Sequence, residues 1–401
     1  MTAAARKAFE EGLALEESGH LDKALVSYLK AQELSPNDTE IAYRTASALL
    51  QAGYLEEAQS QLRRIVFSEP EHLGARASLG NCQLLLDDVA NAKQNFSEVL
   101  DQAPENRNAL YGLASVLLKE NNAAMAEKPA RKLLELLPGS PAVLTLFAQV
   151  QDQVGQTTAA IAAYRKALKS APAHLPALLG LSETLLRRKR FDEVVELTVR
   201  ANQLVPADPQ PLEMLSDALS GRGDLNDAKE AALEALKLTP RSVSLHVRLS
   251  VLSRKLDQQG EALRYALAGH DIDKQAAGPI NAIGTALAAL KHAAQARAVL
   301  TALSSGNGID AGTRAFIEKA IAKQAEVPAA INPSETDKRG NITSHGKTSA
   351  AADMPSAKTG ETDLPGEVEP DREKAASTNG VPAESSEPVP NVLGLQRQDR
   401  S

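Results

Sequence analysis

The sequence predicts an all-α chain built as a linear array of about nine helical hairpins, and three observations carry that prediction. Small residues recur every 34 positions, at Ala24, Ala58, Ala92, Ala126, Ala160, Val194, Ala228, Ala262 and Ala296. Twelve residues before each stands another small residue: Gly12, Ala46, Gly80, Ala114, Ala148, Ser182, Ser216, Ser250 and Gly284. Twelve residues after, proline recurs in seven consecutive windows from Pro36 to Pro240 and fails only at Lys274 and Gly308. Small facing residues let two helices cross closely, and proline, lacking an amide hydrogen, cannot continue a helix. One such hairpin cannot bury its own apolar face, so repetition implies stacking.

Taken in order, the elements follow from this register. In residues 141 to 174, Leu144, Phe147, Ala148 and Gln151 fall at helical spacing, Gly155 interrupts them, and Ala160, Tyr164, Ala167 and Leu168 resume the pattern before Pro172. The first repeat spans 5 to 38, with Asn37 or Asp38 to cap the helix that follows, and Gly53 marks the turn of the second. In the fourth repeat, 107 to 140, Pro129 is predicted to kink the second helix or delay its start. Ser140-Pro141 and Asp208-Pro209 provide a cap and a first helical residue for the fifth and seventh. The eighth repeat, 243 to 276, is the weakest match, with Gly269 and Lys274 where others carry Ala and Pro. The ninth ends near 310. A helix over 311 to 326, with Phe316, Ile317 and Ile321 on one side, is predicted to cap the stack. Residues 327 to 401 are rich in Pro, Ser, Thr, Gly, Glu and Lys and read as a disordered acidic tail whose one apolar cluster is Val392, Leu393 and Leu395.

With Tyr28, Phe96 and Tyr164 sharing one further place in the register, residues 5 to 310 resemble the tetratricopeptide repeat family. The resemblance implies a right-handed superhelical solenoid of helix-turn-helix units acting as a non-enzymatic interaction scaffold or adaptor. In that family first helices line a concave groove that holds a protein or peptide. The Trp common early in the family's repeat is absent throughout. The Lys, Asn and Arg set with which some members grip a chaperone's terminal carboxylate is also absent: Phe9, Leu13, Arg44, Gly74 and Ser78 stand at the matching positions.

Composition narrows the function classes. Apolar residues make up 43% of the 401-residue chain but aromatic ones only 3%, so Ala and Leu fill the interior, as close-packed helices require and sheets do not. A net charge of −7 argues against nucleic acid or an anionic membrane surface as the main partner. The single Cys82 reads as a small buried hydrophobe and rules out an internal disulfide framework. No stretch is apolar enough to insert in a membrane, and the charged N-terminal segment does not read as a signal peptide, which makes the cytoplasm the expected compartment. Seven scattered histidines lack metal spacing, and Gly306 and Gly308 lack the Lys-Ser or Lys-Thr of a phosphate loop. The basic run Arg187, Arg188, Lys189 and Arg190 suits the negative end of a helix. No catalytic set, metal or cofactor is therefore expected, and the alternative to a free scaffold is a regulatory or targeting subunit of an enzyme on a separate chain, such as a glycosyltransferase-like system. A self-associating array stays open.

The first-helix face opposite the packing stripe carries apolar residues where a solvated face is expected: Tyr43 and Leu50, Asn81 and Leu84, Tyr111 and Leu118. They mark either a binding groove or packing between repeats. Further along, Asp152, Glu183, Glu213 and Asp217 give the same face acidic character. The pattern predicts a peptide with apolar anchors at one end and Lys or Arg at the other.

Overall fold

The computed structural model describes residues 1–304 and 309–325. Among them it contains nineteen helices and no strand. The first eighteen pair as hairpins: α1 (Ala3–Glu17) with α2 (Leu21–Leu34), α3 (Thr39–Gln51) with α4 (Leu55–Ser68), α5 (Leu73–Leu85) with α6 (Val89–Gln102), α7 (Arg107–Lys119) with α8 (Ala123–Leu136), α9 (Pro141–Gln153) with α10 (Thr157–Ser170), α11 (Leu175–Arg187) with α12 (Phe191–Leu204), α13 (Pro209–Arg222) with α14 (Leu225–Leu238), α15 (Val243–Lys255) with α16 (Gln259–Ile272), and α17 (Ala277–Ala289) with α18 (Ala293–Ser304). The last is α19 (Ala311–Ala325). Residues 305–308 and the predicted tail, with Val392, Leu393 and Leu395, lie outside the described residues.

One turn geometry joins the helices inside every hairpin. The residues at 19, 53, 87, 121, 155, 189, 223, 257 and 291 all have positive φ, between 56° and 102°. Each is followed by an amide that donates back to a carbonyl five residues earlier, as His20 does to Leu15 and Arg190 to Leu185. This is the Schellman closure, which satisfies the last carbonyls of the first helix and reverses the chain. Four of the nine places hold Gly; Asp87, Asn121, Lys189, Asp257 and Lys291 adopt the same conformation with a side chain.

A second turn joins each hairpin to the next, and it gives the seven prolines their role. The Asp38 amide donates to the Ser35 carbonyl, and the same bond recurs at residues 72, 106, 140, 174, 208 and 242. Proline thus occupies the second place of a β-turn, where its fixed φ is favourable, and the helix has already ended two residues before it. The turn's last residue then caps the following first helix: Asp38 accepts from the Ile41 amide, Asn106 from Ala109, Ser140 from Val143 and Ser242 from Leu245. Lys274 does not open its turn, since the Ala276 amide still reaches the Asp273 carbonyl at 3.4 Å.

Packing at the helix crossing explains the small residues. The rings of Tyr28 and Phe96 are fully buried and Tyr164 nearly so. A Cβ at Gly12 would lie 2.5 Å from the Tyr28 ring, and one at Gly80 or Gly112 would lie 2.7 or 2.2 Å from Phe96. Glycine on the first helices leaves the space that the ring fills. In the seventh and eighth repeats the ring's place is taken by Ala232 and Ala266, and the buried hydroxyls of Ser216 and Ser250 donate to the carbonyls of Ala228 and Ala262 at 2.8 and 2.7 Å.

Of the two outcomes expected at Pro129, the delayed start does not occur. α8 begins at Ala123, in register with the other second helices, so Pro129 does not delay its start but sits inside the helix. The carbonyl of Met125 simply loses its donor. α19 packs back as far as α16: Ile317 and Ala320 join the cluster of Ala262, Leu263 and Leu267 there, and Arg314 forms an ion pair with Asp271.

Candidate functional site on the first-helix face

A cleft of about 590 Å³ opens on the face formed by successive first helices. Leu84 and Leu85 of α5 and Leu118 of α7 supply its apolar floor; Ser115, Gln149, Gln153 and the Tyr164 hydroxyl supply polar groups. Its charged rim is Lys119, Asp152, Glu183 and Arg187. The repeat sets this arrangement, because residues 34 apart stand side by side on neighbouring helices: Ser115, Gln149 and Glu183 form one row, Leu84, Leu118 and Asp152 a second, Leu85, Lys119, Gln153 and Arg187 a third. Gly180 admits the Tyr164 ring, since a Cβ there would stand 2.6 Å from its hydroxyl oxygen.

The carboxylates of this face are not free. Arg187 bridges Asp152 and Glu183, the latter at 2.9 Å, and Thr184 donates to Asp152 at 3.1 Å. Arg248 makes a similar bridge two repeats on, reaching Glu213 at 3.1 Å and Asp217 at 2.9 Å. Burial raises the Asp217 carboxyl's affinity for a proton; Arg248 opposes that, and Glu213 adds to it. Lys119 pairs with Asp87 at 2.5 Å. In the first repeat Tyr28 donates to Glu16, twelve residues before it, at 2.5 Å. Tyr164 stands twelve residues after Asp152 in the same way, and its hydroxyl is held protonated by burial and by the Asp152 charge. Phe96, which needs no acceptor, has Leu84 at that place.

The ten candidate groove residues therefore divide. Tyr43, Leu50, Asn81, Leu84, Tyr111 and Leu118 are 3 to 9% exposed, as the alternative of packing between repeats requires. The physical reason is lateral packing: Tyr43 stacks against His72 at 4.8 Å between ring centroids, and its hydroxyl lies 3.0 Å from where a Gly74 Cβ would be. Burial likewise pushes the Tyr111 hydroxyl up to about 12. Leu84 and Leu118 keep an edge in the cleft; Tyr43, Leu50, Asn81 and Tyr111 are not part of its lining. Asp152 and Glu183 are in the cleft, whereas Glu213 and Asp217 are gathered by Arg248 beyond it. Gln149 lies on the face read from the sequence beside Asp152; the pattern missed Ser115, Lys119, Gln153 and Arg187, of which the first three are legible in the 34-residue rows. Arg187, read from sequence as a helix-end cation, is the cross-repeat bridge.

A second hollow of about 730 Å³ lies between α6 and α8, floored by Leu110 and Leu113 and walled by Lys128, Pro129 and Lys132. Among the described residues no group of His, Cys, Asp and Glu is arranged to hold a metal, and no helix is long and apolar enough to cross a membrane. Cys82 is buried, its thiol donating to the Leu55 carbonyl at 3.1 Å and pushed up to about 11 by burial.

Comparison with known proteins agrees with this architecture. Tetratricopeptide repeat models match residues 4–38, 43–92, 83–150 and 153–218, together just over half of the chain. A TPR repeat-containing protein of Pseudomonas aeruginosa is 27% identical over 247 residues, 60% of this chain and 35% of that protein. Cellulose synthase operon protein C of Pseudomonas fluorescens is 27% identical over 125 residues, covering 31% of this chain and 10% of its own length. The human protein O-mannosyl-transferase TMTC3 is 20% identical over 249 residues, or 58% and 26%. The chain thus spans about a third or less of these curated relatives. In the crystal structure of the APC/C hetero-tetramer Cut9–Hcn1, a chain with 15% identity shares the fold with a TM-score of 0.56, over 67% of this chain and 52% of that one. With nine hairpins in one register and these matches, the chain belongs to the tetratricopeptide repeat family.

Proposed function

We propose that the array is a non-enzymatic scaffold that binds an extended segment of a partner protein along its first-helix face, with the cleft at Leu118 and Gln149 as the anchor. The observation that supports this is the cleft's mixed lining. An aliphatic side chain of the partner fits over Leu84, Leu85 and Leu118, while the amides of Gln149 and Gln153 can satisfy backbone groups of a strand-like segment. Because Arg187 and Arg248 already neutralise the carboxylates, the partner segment need not be basic. Its charge governs steering more than holding. Affinity capture with the full chain, followed by titration of the captured protein, tests the reading. Gln149→Ala with Gln153→Ala should weaken binding about tenfold or more, at two hydrogen bonds of about 1 kcal/mol each. Unaltered affinity would remove the cleft from the function.

The similarity to parts of cellulose synthase operon protein C and of a protein O-mannosyl-transferase favours one refinement, a partner that is itself an enzyme, with the array as its regulatory or targeting subunit. A change in the captured partner's activity on adding the array would support it, and no change would leave the plain scaffold.

A further inference from the structure

His270 stands at a place that is aliphatic in most other repeats: Val66, Leu100, Leu134, Leu168 and Leu236 occupy it in five and the polar Gln32 and Asn202 in two, and each of these is only partly buried, whereas His270 is fully buried. The His270 side chain is 4% exposed, and neither ring nitrogen has a hydrogen-bond partner. It continues the α16 stripe of Leu263, Ala266 and Leu267, which packs with Ile317 and Ala320 of α19. The next residue, Asp271, is held by Arg314 of α19. An imidazole is thus enclosed at a place that five other repeats fill with an aliphatic side chain, and it lies at the junction with the last described helix. Such a buried, unpaired polar ring is costly for packing alone.

We infer that His270 makes the docking of α19 on α16 acid-sensitive: the closed junction accommodates only the neutral ring, and its protonation releases α19. The charged groups around the ring agree. On its own element and the turn after it stand Asp271, Asp273 and Lys274, and on α19 stands Arg314, itself shared with Glu318. On α15 the nearby titratable side chain is His246, whose Nδ1 is 2.8 Å from the Ser242 carbonyl; α17 carries none. Asp271, at 4.0 Å, is the carboxylate that most favours an imidazolium, with Asp273 adding less, and Arg314 already occupies Asp271. Burial therefore dominates and lowers the proton affinity of His270 below its ordinary value near 6.5. The sign follows: an exposed ring takes its proton as pH falls through about 6.5, the enclosed ring does not, so docking is complete above that pH and is lost below it.

Hydrogen exchange of the α19 amides in the full chain, corrected for intrinsic rates, tests this. Between pH 7.5 and 5.5 the opening constant of α19 should rise by up to about tenfold, while that of α5 to α12 stays level. His270→Leu should abolish the rise and keep α19 protected at pH 5.5, and His270→Gln, a non-titrating polar ring substitute, should also abolish it. Arg314→Ala should lower protection of α19 at every pH and, by freeing Asp271 to face the imidazolium, make the slope shallower. A flat profile in the parent, an unchanged slope in His270→Leu, or a steeper slope in Arg314→Ala would overturn the assignment.

Discussion

Repeats one, three and five hold their helix crossings with an aromatic ring set into glycine-lined space, and repeats seven and eight hold the same crossing with alanine and a buried serine hydroxyl bonded to a carbonyl of the second helix. The turns and the 34-residue register are the same in both regions. What differs is how tightly the interior is specified. A ring pressed against glycine fits one arrangement and tolerates no added atom there; a hydroxyl reaching a carbonyl that already serves a helix adds a modest directional bond. The geometry of the family is therefore compatible with two core chemistries, and the cleft lies where the steric one prevails, with Tyr164 as both core ring and site residue.

The comparison breaks most visibly at the rings. Phe96→Ala should cost about 3 to 5 kcal/mol, because a fully buried ring is lost from between Gly80 and Gly112, where there is no side chain to collapse into the space. Since an array unfolds through neighbouring repeats, the loss is best read as exchange protection in α6 and α7 together with the urea midpoint. Tyr111→Ala should cost about 3 kcal/mol for the same reason, and Tyr43→Ala nearly as much. The sequence pattern leaves both tyrosines open as groove anchors or as packing between repeats; a measured midpoint equal to the parent's would favour the groove.

Gly112→Ala comes next. Its Cβ would meet the Phe96 ring at 2.2 Å, and the overpacking should cost about 1 to 3 kcal/mol. In the Phe96→Ala background the same change should instead gain up to about 1 kcal/mol from helix propensity, and this reversal in a double-mutant cycle is the test. In the other region, Ser250→Ala should cost only about 1 kcal/mol, since its acceptor, the Ala262 carbonyl, lies within a helix. A loss as large as that of Phe96→Ala would mean the two regions do not differ in kind.

Periodicity made the hairpins legible because it samples the same geometric demand nine times: Ala160, Pro172 and Gly155 each repeat a constraint on crossing, turn and reversal. The face of each first helix was harder to read. Tyr43 and Leu50 sit a quarter turn from the packing stripe, a position exposed on a lone hairpin but covered by the next one in a stack, so single-helix periodicity places them in water. The charges failed for a related reason. Asp152 and Glu183 look acidic until Arg187 is carried across the repeat boundary, and Glu213 and Asp217 until Arg248 is. Pairing between helices depends on lateral order, which spacing within one helix does not contain.

The smallest expected effect tests what the two regions share. All nine hairpin turns require positive φ at one place, and Lys189, between the aromatic and the serine regions, and Lys291, in the last hairpin, meet it with a full side chain. An ordinary L-residue in that conformation is strained by about 1 to 2 kcal/mol, of which glycine's greater freedom in the unfolded chain takes back a part. Lys189→Gly and Lys291→Gly should each therefore raise stability by about 0.5 to 1 kcal/mol, measured by urea titration. Asn121→Gly should change it by only a few tenths, because asparagine tolerates the left-handed region far better than lysine does. Equal gains at residues 189 and 291 would show that the turn acts independently of the core chemistry on either side of it. A gain at Lys291 with none at Lys189 would show instead that Arg187, whose bridge to Asp152 begins two residues before the turn, depends on the strained geometry that Lys189 now holds.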